Sequence, residues 1–242
     1  DYKPGFLYFP GTLYWSAPFR WLFGDIRYGF VFANFLALAG LWKLGEVAGV
    51  AYRRRALMVL LWAAFPATYF VLEQAWTDPV LTALGFWIVW AVWTWRVRRA
   101  GALMGFLFAF KQYAFVICWV AWLRFVREKK WSAALLSALL ALGVIALCMG
   151  PFAIWDWQSL YFSTVKNQSD PTPRMDALSM AAFSGRILGW VPPARLTSFM
   201  GVFGIALGSI MVLSPRARSM SMTFLALFVA YGFAFIWGKW AF

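Results

Sequence analysis

Histidine is absent from the 242 residues, and only two cysteines and nine acidic residues are present against 22 lysines and arginines. The missing imidazole excludes Ser-His-Asp triads and histidine metal sites, so any acid-base chemistry falls to carboxylates, lysine or tyrosine. Cys118 and Cys148 both lie inside apolar runs, where they read as packing residues rather than a disulfide. No charged face of the kind that binds nucleic acid can be drawn. The basic residues behind the net charge of +13 sit in short clusters between apolar runs, the arrangement that orients a protein in a bilayer, with anionic lipid headgroups or an anionic lipid substrate as partners.

What the chain has in excess is apolar surface. It is 63% hydrophobic and 21% aromatic, more than a soluble fold can hide, so the expected class is an all-α, polytopic helical membrane protein. Asp1 is not a methionine, no signal-peptide pattern follows it, and the sequence stops just after Gly238-Lys239. We read residues 1–242 as a single transmembrane module, a fragment of a longer protein.

Residues 1–27 are aromatic-rich and broken by Pro4, Pro10 and Pro18, which argues against one continuous span and for an outer interfacial segment with a short amphipathic helix. Spans are expected at about 28–44 and 56–72, flanking a cytoplasmic loop with Lys43, Arg53, Arg54 and Arg55. Glu73 to Pro79 carries two acids and no base and is placed outside. A third span, 80–95, ends at Arg96, Arg98 and Arg99. The next basic cluster, Arg124, Arg127, Lys129 and Lys130, follows after only 24 apolar residues, Ala100 to Leu123. A single crossing, which needs ~20 residues, would put one cluster on the wrong face. Residues 100–123 are therefore expected to form a re-entrant helix pair, about 11 residues and ~16 Å per arm, with Lys111 and Gln112 at the apex.

Beyond it, 132–150 should cross outward to Gly150-Pro151. An outer loop, 151–193, should carry a surface helix marked by Met180, Phe183, Ile187 and Trp190 at helical spacing. Spans at about 196–213 and 219–237 flank Arg216 and Arg218, giving about six full transmembrane helices plus the short pair. Gly101 with Gly105 and Gly204 with Gly208 are small-xxx-small pairs that permit close helix contact.

On this topology the polar residues gather on the outer side: Asp1, Lys3, Asp25, Arg27, Glu73, Gln74, Asp78, Asp156, Asn167, Asp170, Arg174, Asp176 and Lys239. Lys111 points at them from within the membrane, and an intramembrane cation is a functional hypothesis in itself. Glu73, Gln74, Asp78, Asp156, Trp157 and Lys239 are the substrate-pocket candidates, with Trp155 and Trp157 able to stack on a sugar or to serve as interfacial belt residues. Lys111, Gln112 and Arg174 are the candidates for an anionic group. The plainer readings pair Lys111 with Glu73, or let Asp78 cap a helix before Pro79. No residue set asks for a metal.

The runs DYKPGFLYFPG and SAPFRWLFGDIRYG, then RAGALMGFLFAFKQYAFVI, the Gly150-Pro151-Phe152 span end and the terminal Gly238-Lys239-Trp240-Ala241-Phe242 resemble bacterial GT-C fold glycosyltransferases. The resemblance covers most of the chain in short motifs. It implies transfer of a sugar, mannose-like or arabinose-like, from a polyprenyl phosphate to a glycan, lipid or protein acceptor on the outer face of the bacterial cytoplasmic (inner) membrane. It also implies a donor-phosphate role for Lys111, no resident cofactor beyond the lipid-linked donor, and a divalent metal left open. The family's catalytic carboxylate follows its first span, which would precede residue 1, so the resemblance assigns no base here and leaves Asp1 as a weak candidate. The rival class is a multi-pass transporter or flippase for an anionic or lipid-linked solute. It predicts hydropathy repeats and several mid-depth polar residues, whereas only Lys111, Gln112 and Asn34 are clearly intramembrane.

Overall fold

A computed structural model of the chain describes residues 8–74, 76–166, 180–215 and 219–237, and these are helical with no strand among them. The helices in chain order are α1 (Gly11–Phe23), α2 (Arg27–Val47), α3 (Tyr52–Ala63), α4 (Pro66–Glu73), α5 (Asp78–Trp93), α6 (Val97–Phe110), α7 (Phe115–Arg127), α8 (Trp131–Tyr161), α9 (Met180–Ile187), α10 (Ala194–Leu213) and α11 (Met220–Trp237). Three stretches are long and apolar enough to cross a bilayer, Arg27–Val47, Trp131–Lys166 and Arg195–Leu213. Two apolar helices are shorter, Asp78–Trp93 and Met220–Phe233. Among the described residues three crossings of the expected six or so are thus supported by length.

The expected span 56–72 is two helices, α3 and α4, broken before Pro66. Proline disfavours helix at the residue before it but suits a first helical turn, so the break falls at Ala64 and Phe65. The reverse happens at Gly150-Pro151, where a span was expected to end. There α8 runs on to Tyr161 and interrupts its helical backbone only at Asp156 (φ −154°, ψ 88°). A proline costs a helix one backbone bond, which a bundle tolerates. The Asp156 carboxylate then restarts the helix by accepting from the Ser159 amide at 2.9 Å, an N-cap arrangement.

Both glycine pairs sit at close helix contacts. Gly101 lies against Ser137 and Leu140, and Gly105 against Ala141 and Val144, so a β-carbon at either would strike α8 backbone. Gly204 and Gly208 face Phe233, Ala226 and Ala230 of α11 in the same way. The α6–α8 register, 101 beside 137 and 105 beside 141, makes those two helices parallel. The intervening α7 therefore runs back. Its end confirms the geometry: the Arg124 guanidinium lies 3.6 Å from the Trp93 ring centre and 5.2 Å from that of Trp95, and the Trp122 indole N–H donates to Ala134 O at 3.0 Å. The stretch from Arg96 to Arg124 is a hairpin whose two ends meet.

Most of the buried side chains belong to α2, α5, α6 and α7, including Phe30, Ala33, Val80, Ile88, Leu107, Phe110 and Phe125. A second cluster joins α7 to α10 and α11 through Val120, Leu123, Val212 and Ala226. Much of α3, α8 and α10 exposes leucine, isoleucine and aromatic side chains, among them Leu60, Leu61, Leu139, Leu142, Leu147 and Val202. Apolar residues in such numbers on an outer surface fit a lipid surround.

Candidate functional site

The site begins where α6 ends. After Phe110 the backbone opens to an extended residue, Lys111 (φ −150°, ψ 127°), and a single 3₁₀ turn, Gln112–Ala114, leads into α7. Neither proline nor glycine marks this break. A helix end leaves its last carbonyls without partners, and where that end is buried each must find one within the protein. The Thr12 hydroxyl supplies one, donating to Phe110 O at 2.9 Å from a buried position. It can do so because Gly11 rests directly on Ala109 and Phe110, where a β-carbon would come within 2.5 Å of Ala109 O. The start of α1 is thereby locked onto the apex of the α6–α7 hairpin. Gln112 ties the other flank, its amide nitrogen donating to Thr164 O at 3.3 Å in the π-helical turn Phe162–Lys166 that follows α8.

The Lys111 side chain is 1% exposed. Its ammonium lies 3.2 Å from Asp78 Oδ1, 4.8 Å from the centre of the Tyr113 ring and 5.7 Å from that of Tyr8. Tyr113 in turn packs edge-on to Tyr231 of α11, centres 6.2 Å apart. Lysine over tyrosine faces gains a cation–π attraction that grows as water is excluded. Asp78 is the first residue of α5, after the Thr77 N-cap. There the positive end of the helix favours its negative charge, and its side chain keeps one third of its surface exposed. Beside it the buried Thr77 hydroxyl has no hydrogen-bond partner among the described residues. The arrangement holds a cation almost wholly out of solvent while its counter-charge reaches solvent.

The other sequence candidates divide into three groups. Glu73 and Gln74 are exposed at the end of α4, so the carboxylate against Lys111 is Asp78, not Glu73. Asp156 lines a second feature, a cavity of about 370 Å³ between the start of α1 and the C-terminal end of α8. Trp155 lines it too, while Trp157 does not and instead stacks on Tyr161 at 6.3 Å. Asp1, Arg174 and Lys239 lie outside the described residues, as do Asn167, Asp170 and Asp176. Near the surface Asp25 and Arg27 form an exposed pair at 2.6 Å. Its hydrogen bonds hold the Asp25 carboxyl below the ordinary aspartate value. Sequence reasoning did not find Tyr8, Thr12, Tyr113 or Tyr231 as parts of the Lys111 surround. Tyr113 alone carried a signal, being two residues from the lysine.

These features define a class: an all-helical membrane protein with a buried lysine–aspartate pair at the tip of an interrupted helix hairpin. Among families, the model of glycosyltransferase family 87 (GT87) matches residues 6–237, and the chain belongs to that family. No curated protein and no solved structure matches it. The protein is therefore a glycosyltransferase with the apolar helices of a membrane enzyme.

Proposed function

We propose that the chain is a GT-C type transferase that moves a mannose-like or arabinose-like sugar from a polyprenyl phosphate to an acceptor on the outer face of the bacterial cytoplasmic membrane. Lys111 receives the donor phosphate. The carrying observation is the Lys111 ammonium, buried at the apex of the hairpin and 3.2 Å from the partly exposed Asp78 carboxylate. In this reading α6 and α7 enter and leave the bilayer on the cytoplasmic side. The fourteen residues of α6 reach ~21 Å at ~1.5 Å per residue, short of a hydrocarbon core of ~30 Å. The lysine then stands within reach of a phosphate drawn down from the outer leaflet.

The chemistry follows from where charge develops. The anomeric carbon–oxygen bond to phosphate breaks, and its electron pair stays on the phosphate oxygen. An acceptor oxygen forms the new bond from the opposite face, and its proton passes to a carboxylate base. A fixed cation beside the departing phosphate stabilises the charge that appears there. Asp78 shares the ammonium with that phosphate, so it lies on the leaving-group side and positions Lys111. The base belongs on the other side. Gln112 fixes the apex, and Arg174 is retained as a second phosphate contact from the outer loop.

The test is transfer of radiolabelled sugar from a polyprenyl-phosphate donor by the full chain in lipid. Lys111→Ala should lower the rate by ~10²–10³, the usual cost of removing one charge-stabilising group. A wild-type rate in that variant would overturn the assignment.

A further inference from the structure

The cavity at the C-terminal end of α8 does not enclose Lys111, yet it shares a wall with it. Tyr8 lines the cavity on one side and carries its ring 5.7 Å from the Lys111 ammonium on the other. The lining is divided by chemistry. Tyr8, Phe152 and Trp155 offer aromatic surface, and Asp156, Ser159 and Ser163 offer a carboxylate and two hydroxyls. Phe152 is held by an edge-on contact with Tyr14 of α1, ring centres 6.0 Å apart. Trp155 is 84% exposed, so its face is not committed to packing. Both the Ser159 amide, at 2.9 Å, and the Ser159 hydroxyl donate to the Asp156 carboxylate, which fixes that carboxylate at the cavity wall, and the Ser163 hydroxyl lines the cavity one turn further on. Phe152, Trp155, Asp156, Ser159 and Ser163 recur at three- and four-residue spacing and so fall on one side of the helical stretch.

We propose that this cavity is a sugar subsite, taking one pyranose or furanose ring with an apolar face on Trp155 and hydroxyls toward Asp156, Ser159 and Ser163. The inference rests on the proposed sugar transfer. A volume of about 370 Å³ falls at the lower end of the ~300–1,000 Å³ of small-molecule sites. Carbohydrate rings present both an apolar C–H face and a rim of hydroxyls, and this cavity presents both complements. A lipid chain would gain nothing from the carboxylate and the two hydroxyls. The wall shared with Lys111 puts a bound ring next to the phosphate site, where the donor's sugar or the acceptor's terminal sugar has to lie.

The test is saturation-transfer difference NMR on the full chain in lipid nanodiscs, with methyl α-mannopyranoside and methyl α-arabinofuranoside as probes. Wild type should transfer saturation to at least one glycoside, and so should Trp131→Ala, which removes an exposed tryptophan at the opposite end of α8. Trp155→Ala should weaken binding about tenfold, the scale of one good aromatic contact, and Trp155→Phe should recover most of it. Because Trp155 is exposed, its removal leaves the fold intact, which an unchanged melting temperature checks. Saturation transfer to neither glycoside in wild type, or equal binding by wild type and Trp155→Ala, would overturn the subsite. So would transfer confined to lipid acyl protons. Lys111→Ala should still bind the glycosides, so failure of the phosphate assignment and failure of the subsite are read in separate experiments. In the transfer assay Trp155→Ala should raise the KM of one substrate, and whichever rises identifies whose sugar occupies the cavity.

Discussion

Removing either partner of the Lys111–Asp78 pair should destabilise the protein, but not equally. Asp78→Asn takes away a carboxylate 3.2 Å from an ammonium that is 1% exposed, and removing one partner of a buried ion pair costs ~3–5 kcal/mol. Lys111→Met removes the buried charge instead. The Asp78 carboxylate it leaves behind is one third exposed and sits at a helix N-terminus, where solvent and the helix dipole still support it. The methionine chain refills most of the volume between Tyr8 and Tyr113, so that variant should lose only ~1–2 kcal/mol, within the cost of an imperfect core substitution. The double variant should resemble Lys111→Met, since both charges are gone, and should be more stable than Asp78→Asn alone. Denaturant unfolding in mixed micelles, followed by near-UV circular dichroism, measures all four corners of the cycle. Equal losses for the two single variants would refute the reasoning, because they would mean that the ammonium is no more dependent on its partner than the carboxylate. A double variant worse than Asp78→Asn would refute it as well.

Thr12→Val should cost ~1–2 kcal/mol, because it leaves Phe110 O unsatisfied at the apex; the same unfolding assay reads it. Gly105→Val should disrupt the α6–α8 contact by pushing a branched side chain into the Ala141 backbone, with a loss of ~1–3 kcal/mol and a lowered melting temperature, while Gly143→Ala, where space is open, should not. The Asp25 carboxyl should titrate below the ordinary aspartate value, because hydrogen bonds from Arg27 favour its charged form. The depressed folded-state value means that its contribution to stability is present above the unfolded-state pKa and fades as pH falls through the folded one. Side-chain carboxyl NMR should show the titration moving upward in Arg27→Gln, and an unmoved midpoint would contradict the pairing.

The class of the fold was readable because it depends on bulk properties. An apolar fraction this high, with most basic residues gathered in short clusters between apolar runs, leaves few alternatives. The break at Lys111 was readable for a less common reason. Residues 107–115, LFAFKQYAF, contain no helix breaker, and only the matching charge at both ends of the stretch pointed to a turn near its middle. Partners were harder. Glu73 and Asp78 both stand before α5, and nothing in composition says which carboxylate a lysine 33 residues later will meet. The answer depends on Asp78 opening α5 at the level of the apex, which is a matter of tertiary placement. Thr12 and Gly11 were equally silent. Their role depends on a contact 98 residues away in sequence, and in the sequence they sit in a proline-broken aromatic run that suggested only an interface. Gly150-Pro151 misled because local propensity names a stop there, whereas a long apolar helix absorbs the lost backbone bond and is interrupted only at Asp156.

The hairpin also explains why the charged pair can be buried. A full-length transmembrane helix satisfies its own backbone and leaves no reason for a side chain to turn inward at mid-span. An interrupted one exposes carbonyls and amides that must be met by neighbours, and here α1 and the end of α8 are brought in to meet them through Thr12 and Gln112. The same two elements then form the walls of the cavity that shares Tyr8 with the lysine. One break in one helix therefore accounts for three features together: the docking of α1, the buried ammonium, and a largely apolar cavity with a few polar groups beside it. Shortening α6 or restoring helix through 111–114 would have to disturb all three at once, which a merely decorative lysine in a continuous span would not require.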